Sequence, residues 1–178
     1  MVSLQHWLLR FGAASGELRH IFAEIGEWLS NGRPPWAAYC AMMPGRLIAL
    51  DKSPGIRPVG IGDTWRRLLA KCLLWVTGQE AKVTCGTEQL AGGVESGIEG
   101  AIHAARLQWT QHSQEEEWGF LLIDAQNALN EENRTVMLWA VRHEWPGGIQ
   151  FTFNCYRHWA TLVVRNTTDG SGHFLHSK

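Results

Sequence analysis

The sequence lacks any long apolar run and any recognisable leader. No stretch of its 178 residues approaches the roughly 18 consecutive apolar residues that a membrane-spanning helix needs. Residues 1–11 show neither the charged start nor the apolar core and small-residue cleavage site of a secretory signal. We therefore expect an intracellular protein with no membrane partner, and the sequence does not distinguish nucleus from cytoplasm.

The patterns that mark familiar metal and hydrolase sites are also missing. The four cysteines never occur as C-x-x-C, which excludes a zinc ribbon or a thioredoxin motif. No two histidines stand four residues apart, and neither a P-loop nor a Gly-x-Ser-x-Gly elbow occurs. Because an intracellular chain keeps its thiols reduced, we expect free and mostly buried cysteines.

The net charge is small, but the charges are segregated along the chain. The formal net charge is −1, which argues against a protein that binds nucleic acid over its whole surface. Residues 33–82 carry eight Lys or Arg against three Asp or Glu, whereas residues 83–120 carry one Arg against six Glu. The basic segment could face phosphate. A solvated mixed surface explains the same pattern, so both interpretations stay open.

The chain divides into three regions, residues 1–32, 33–117 and 118–178, with no low-complexity linker between them. In the first region, apolar residues at three- and four-residue spacing predict one helix that ends at Asn31 and Gly32. Ten tryptophans are the oddity of the composition. Several stand at apolar positions of helical stretches, so we expect most of them to be buried.

The second region begins with two extended segments, residues 46–51 and 56–61, around a Pro-Gly turn. This pattern predicts a hairpin with Pro58 at an edge or a bulge, because proline cannot donate to a central ladder. Asp63 then offers a cap for a following helix. A glycine-rich loop and a further helix complete the region.

The third region opens with an apolar run, residues 120–123, that ends in Asp124. A continuous apolar run of this length predicts a strand buried on both faces. Two helices and a second hairpin, built from residues 161–165 and 173–176, are expected to follow. The fold class is therefore α+β.

Asp124 is the strongest candidate for chemistry. A carboxylate at the end of a rigid buried strand is well placed to hold a hard cation such as Mg²⁺, which prefers oxygen ligands. A lone aspartate at a strand end is more often a turn or capping residue, and that alternative stays open.

Five blocks of the sequence together suggest a family. Residues 121–130 run from an apolar strand into Asp124 and then Asn-Ala-Leu-Asn, with Arg134 following. This segment resembles the first catalytic motif of reverse transcriptases of the non-LTR retrotransposon type. Residues 47–62 resemble the fingers segment of that family, in which a Lys precedes a Gly-x-Arg-Pro strand. Residues 65–71 and 92–106 resemble the next blocks, and residues 170–177 are similar to the hairpin before the Gln-Gly-Asp-Pro motif.

The resemblance implies an incomplete right-hand polymerase fold. Residues 33–117 would be a fingers-like region, and residues 118–178 the start of the palm. The activity of the family is RNA-templated DNA synthesis by two-metal nucleotidyl transfer, with an RNA template, a DNA primer, a dNTP and Mg²⁺ as partners.

By this resemblance, Asp124 would be the first metal-binding carboxylate, and the backbone carbonyl of Ala125 would assist it. Arg57 and Lys52 would contact the triphosphate of the incoming nucleotide, a role that suits the planar fork of arginine. Template phosphates would be contacted by basic residues of the following helix, namely Arg66, Arg67 and Lys71. A solvated helix face explains these three equally well.

The sequence also departs from the family. Leu129 stands where the family carries an aromatic ring that excludes the ribose 2′-hydroxyl. No Gln-Gly-Asp-Pro segment and no Asp-Asp pair occurs in the 178 residues. We therefore expect this polypeptide alone to be inactive, and to self-associate through an unpaired sheet edge. A non-catalytic nucleic-acid-binding remnant and an unrelated α+β interaction protein are the alternatives.

Overall fold

The computed structural model describes residues 9–86, 89–92, 94–125, 128–165 and 169–176, without the side chains of residues 129 and 130. The chain is α+β, as expected from the sequence. The helices are α1 (Ala14–Asn31), α2 (Trp36–Met42), α3 (Thr64–Cys85), α4 (Gly97–His112), α5 (Ala128–Glu131), α6 (Arg134–Glu144) and α7 (Ile149–Tyr156), with a 3₁₀ turn at Pro146–Gly148. The strands are β1 (Gly45–Asp51), β2 (Ile56–Gly62), β3 (Thr161–Arg165) and β4 (Gly172–His176).

The four strands form one mixed sheet in the order β2-β1-β3-β4. Each outer pair is an antiparallel hairpin, and β1 joins β3 in parallel, with Gly45 opposite Leu162 and Arg46 opposite Val163. A parallel pair needs a long crossover, which here includes α3 to α7. The two predicted hairpins are confirmed, and the parallel junction between them was not predicted.

The first hairpin and its following helix are as the local sequence predicts. Pro58 lies opposite Ala49 on β2, an edge strand, where its missing N–H costs no central hydrogen bond. Gly55 has φ +95° in the turn, a conformation that favours glycine. The side chain of Asp63 accepts a hydrogen bond of 2.7 Å from the backbone N–H of Thr64 and begins α3.

The core lies where α1, α3 and α7 meet. Leu29, Leu69 and Phe151, one from each helix, form a buried cluster. Partly buried neighbours pack around it, among them Ile25, Trp65, Leu73 and Cys155. The predicted helix of the first region is confirmed, since α1 ends at Asn31 and Gly32 has an extended backbone.

A buried amide joins the two terminal regions of the chain. Asn154 on α7 is fully buried, and its side-chain nitrogen donates 2.7 Å hydrogen bonds to the carbonyls of Leu29 and Gly32. Gln150 also donates to the Gly32 carbonyl, at 2.7 Å. Helix carbonyls in the last turn have no partner inside the helix. Asn154 therefore completes the end of α1 and holds it against α7.

The prediction of a buried strand at residues 120–123 is wrong. The segment 118–125 has no regular structure, and Leu121, Leu122 and Ile123 are 83%, 89% and 84% exposed. A strand is buried on both faces only when a ladder partner and covering elements exist. Within the sheet, β1 and β3 each have a neighbouring strand on both sides, so neither is available to pair with residues 120–123. The described part of the chain places no strand beside these residues.

The expected burial of cysteine and tryptophan is also largely wrong. Cys40, Cys72 and Cys85 are exposed, and only Cys155 is partly buried. Exposed tryptophans include Trp75, at 91%, along with Trp28, Trp36, Trp109, Trp139 and Trp159. Helical spacing brings apolar residues to one face, but it does not ensure that another element covers that face.

Candidate functional site

The segment that carries Asp124 is anchored at its N-terminal end by aromatic rings. The rings of Trp118 and Phe120 pack on α4, with ring centroids 6.1 Å from that of Trp109 in both cases. The His112 ring stacks on Trp118 at 4.9 Å and its Nδ1 lies 2.8 Å from a Glu115 carboxylate oxygen. This aromatic anchor ends at Phe120, and the residues beyond it are exposed up to Ala125.

Asp124 itself is exposed and forms no hydrogen bond or ion pair with any residue that the structure describes. Ala125 follows it in the same irregular segment. Leu129 lies in α5, and its side chain is outside the described part of the chain. The structure therefore gives Asp124 the accessibility that a metal ligand needs, without the rigid strand from which the sequence argument started.

The residues that the structure describes do not form a two-metal site. Among residues 9–86, 89–92, 94–125, 128–165 and 169–176, no three or more His, Cys, Asp or Glu side chains come together. Asp124 would supply one carboxylate, and two divalent ions at close range require more than one negative ligand. Binding of Mg²⁺ by Asp124 and Ala125 stays a prediction, and we derive no reaction step from it.

Lys52 and Arg57 lie at the same end of the first hairpin. The backbone N–H of Lys52 donates to the Gly55 carbonyl at 3.1 Å and closes the turn. Arg57 is on β2, opposite Leu50 of β1. Both cationic side chains are exposed. They are available to one anionic ligand, but no hydrogen bond or ion pair in the described part of the chain joins either of them to Asp124.

The three basic residues of α3 differ in their surroundings. Arg66 is half-buried, and its Nη1 donates to the carbonyl of Met43 at 3.1 Å, which ties the start of α3 to the residue after α2. Arg67 and Lys71 are exposed, and their side chains form no hydrogen bond with a described residue. Arg66 therefore has a structural role, and binding of template phosphates by any of the three stays a prediction.

A cleft of about 370 Å³ lies between α3, α6 and α7. Three arginines line it, Arg66 and Arg67 from α3 and Arg134 from the start of α6. We call it the arginine cleft. Its remaining walls are mostly apolar, and no Asp or Glu of the described residues lines it. The formal charge of the lining is therefore +3.

Cys155 on the wall of the arginine cleft is an uncharged thiol at neutral pH. Burial raises its pKa to about 11, and the nearby charge of Arg66 opposes this shift only in part. Because a low-dielectric wall disfavours the thiolate, Cys155 does not neutralise the arginines.

A second cleft, of about 490 Å³, has aromatic walls. Trp36 stacks on Tyr39 with centroids 5.4 Å apart, and the edge of His158 meets both rings. The Tyr39 hydroxyl donates to the His158 carbonyl at 3.1 Å. Burial raises the pKa of Tyr39, although this hydrogen bond opposes the shift. The cluster joins α2 to the residues before β3.

Arg157 is held in this aromatic region. Its guanidinium lies 5.1 Å from the Tyr39 ring centroid and its Nη2 donates to the Pro34 carbonyl at 2.7 Å. Desolvation, and then the charge of Arg33, lower the pKa of Arg157. The Nε of the same guanidinium is buried without a hydrogen-bond partner among the described residues.

The sequence reasoning gave two of these features no role. Arg134 was noted only as part of a motif, whereas the structure places it in the arginine cleft, where its Nη1 also donates to the His158 carbonyl at 2.9 Å. The contacts of His158 join positions more than 100 residues apart in the chain, and no local pattern signals them.

No helix in the described part of the chain is long and apolar enough to cross a membrane. Comparisons with models of known protein families, with curated proteins and with solved structures found no match.

Proposed function

We propose that the chain is part of a reverse-transcriptase-type polymerase domain, namely a fingers-like region followed by the start of a palm. The proposal rests on five motif blocks in the order and spacing of the non-LTR type. Its single strongest support is the segment from residue 121 to 130, with its apolar run, Asp124 and the Asn-Ala-Leu-Asn stretch. In a complete domain, the activity would be RNA-templated DNA synthesis.

In this proposal the 178 residues contact nucleotide and nucleic acid but do not polymerise by themselves. Lys52 and Arg57 would contact the triphosphate, as the resemblance implies. Their exposure at one end of the first hairpin is compatible with this role. Arg67 and Lys71 would meet the template backbone from α3. Asp124 would be one metal-binding carboxylate among several, and the described residues contain no group of three or more His, Cys, Asp or Glu side chains.

A primer-extension assay tests the proposed inactivity of the chain alone. The wild-type chain is incubated with an RNA template, a DNA primer, dNTPs and either Mg²⁺ or Mn²⁺. We expect no incorporation. Incorporation that disappears in the Asp124→Ala variant would show that the described carboxylates are sufficient and would contradict this part of the proposal.

The transcript beyond the codon for Lys178 tests the family assignment. A continuing frame with a Gln-Gly-Asp-Pro segment and a later Asp-Asp pair is the result expected for a polymerase domain. A stop codon directly after Lys178 would favour the non-catalytic alternative. Both outcomes are read from sequence and require no folded protein.

Non-catalytic binding of nucleic acid is the second candidate function. The observation that favours it is the concentration of cationic side chains in residues 33–82. Binding of a primer–template duplex that is unchanged in Asp124→Asn and does not respond to added dNTP would support this candidate over the polymerase.

A further inference from the structure

The arginine cleft is a built cationic pocket away from the predicted metal site. Its lining combines Arg66, Arg67 and Arg134 with no carboxylate of the described residues. Like charges around one cavity repel each other, and a low-dielectric wall strengthens that repulsion. An anion in the cleft removes this cost, so the cleft is complementary to a ligand of negative charge.

Two of the arginines are held in position before any ligand arrives. Arg66 donates to the carbonyl of Met43 at 3.1 Å, and Arg134 donates to the carbonyl of His158 at 2.9 Å. The described bonds of the Arg66 side chain use only its Nη1 atom, and a guanidinium carries five N–H donors. Prior ordering lowers the entropy that a ligand must overcome. Arg67 is exposed and has no described partner, so its side chain is free to close on a ligand.

The walls of the cleft also restrict the ligand. Leu73, Phe151 and Tyr156 supply apolar and aromatic surface, and the thiol of Cys155 stays protonated at neutral pH. A small inorganic anion would leave this surface in contact with water. A ligand with a planar or apolar body attached to its anionic group would cover it.

We propose that the arginine cleft binds a phosphate monoester carried on a nucleoside, either the 5′-phosphate at the end of a strand or a free nucleotide. A monoester is close to a dianion at neutral pH, which matches three guanidinium groups better than a singly charged carboxylate does. Arginine forks pair with two phosphate oxygens at once. The aromatic wall would take the base or the sugar. The choice of a nucleoside body rests on the proposed function, whereas the anion site does not.

Matched ligands separate the two sources. Fluorescence anisotropy measures the affinity of the full chain for one single-stranded DNA oligonucleotide with and without a 5′-phosphate. Isothermal titration calorimetry compares dAMP with deoxyadenosine. We expect the phosphate to tighten binding about tenfold in at least one pair, as for a hydrogen-bonded charged group. An effect only in the first pair assigns a strand end, and an effect only in the second assigns a free nucleotide.

Variants locate the effect. Arg67→Gln and Arg134→Gln should each remove most of the preference for the phosphorylated ligand. Arg142→Gln, with the same loss of charge at an exposed position on α6 outside the cleft, should keep it. Arg134→Gln also loses its bond to His158 and could destabilise the fold, so Arg67→Gln, which breaks no described contact, carries the test independently.

The outcomes are distinguishable from failure of the proposed function. Equal affinities for both members of both pairs, or an equal loss in Arg142→Gln and Arg67→Gln, would overturn the cleft proposal. A phosphate preference that depends on Arg67, in a chain that does not bind a primer–template duplex, would support the cleft and contradict the polymerase. Duplex binding without any phosphate preference would support the polymerase and contradict the cleft proposal.

Discussion

The helical core and the Asp124 segment are both rich in apolar residues, but those of the core are buried and those of the segment are exposed. In the core, the apolar side chains of Leu29, Leu69 and Phe151 are buried by one another. In the segment, Leu121 to Ile123 form an equally apolar run and remain more than four-fifths exposed. Burial of apolar side chains is favourable, but it occurs only where another element of the fold packs against them.

The difference also separates structural from chemical roles. The core is joined by hydrogen bonds between distant positions, such as those of Asn154 with the last turn of α1. The segment carries the residue with the strongest functional signal, Asp124, and the described part of the chain gives that residue no partner. Asp124 therefore has fewer described side-chain contacts than the residues of the helical core have.

We expect the largest difference in unfolding free energy between the core and the Asp124 segment when a leucine side chain is truncated in each. Leu29 is fully buried. Leu29→Ala therefore leaves a cavity and should lower the free energy of unfolding by about 2–5 kcal/mol. Leu122→Ala makes the same chemical change at a position that is 89% exposed, and we expect a change below about 0.5 kcal/mol. Urea unfolding measures both, and similar values for the two variants would break the comparison.

A second test uses the reactivity of the cysteines. The pKa of Cys155 is raised from 9.0 to about 11 by burial. The thiolate is the reactive form, so alkylation of Cys155 near pH 8 should be about a hundredfold slower than that of a thiol with an unshifted pKa. Iodoacetamide labelling followed by mass spectrometry compares it with the exposed Cys40, Cys72 and Cys85. Uniform labelling of all four would show that Cys155 is not buried.

The same shift predicts a dependence of stability on pH. The folded state holds the Cys155 proton more tightly than the unfolded chain does. Its contribution is therefore fully present below pH 9, the unfolded pKa, and is lost as the pH rises towards 11. The slope of unfolding free energy against pH in that window should be smaller in Cys155→Ala than in the wild type. An unchanged slope would contradict the burial.

A third test removes the amide that joins α1 to α7. Asn154→Ala leaves the carbonyls of Leu29 and Gly32 without this donor, and we expect a loss of about 1–3 kcal/mol. Asn31→Ala is the matched control, because its side chain bonds only to the Glu27 carbonyl at an exposed site. Thermal unfolding followed by circular dichroism compares the two variants. An equal loss of stability in both would contradict the prediction that the Asn154 hydrogen bonds stabilise the contact between α1 and α7.

The smallest expected effect on folding concerns the exposed segment. Leu122→Lys should hardly change the unfolding free energy, but it should reduce self-association, because exposed apolar residues favour contact between copies. Sedimentation velocity over a concentration series measures the association. The control is Leu107→Lys on α4, which is exposed but outside the apolar run. Monomeric wild type at all concentrations would contradict the prediction.

Local sequence was enough to predict the elements that local interactions create. The turn at Gly55, the edge position of Pro58 and the Asp63 cap each depend on residues within a few positions. The parallel pairing of β1 with β3 depends on contacts across more than 100 residues, and no short pattern contains it.

The candidate site divides in the same way. Lys52, Arg57 and Asp124 were recognised from motifs, and the structure finds all three exposed. The arginine cleft was not foreseen, because Arg134 comes close to Arg66 only through the packing of α6 and α7 against α3. Motifs identify residue types, and packing decides which of them share a ligand.

The salt dependence of binding to an RNA–DNA primer–template duplex measures directly whether basic residues of α3 contact nucleic acid. We expect measurable binding at low salt, an affinity that falls steeply as salt rises, and a slope that is shallower by about one unit in Arg67→Gln and in Lys71→Gln. Arg106→Gln, an exposed arginine on α4 outside the proposed surface, should keep the wild-type slope. Absence of binding at low salt, or slopes that are the same in all variants, would contradict the account.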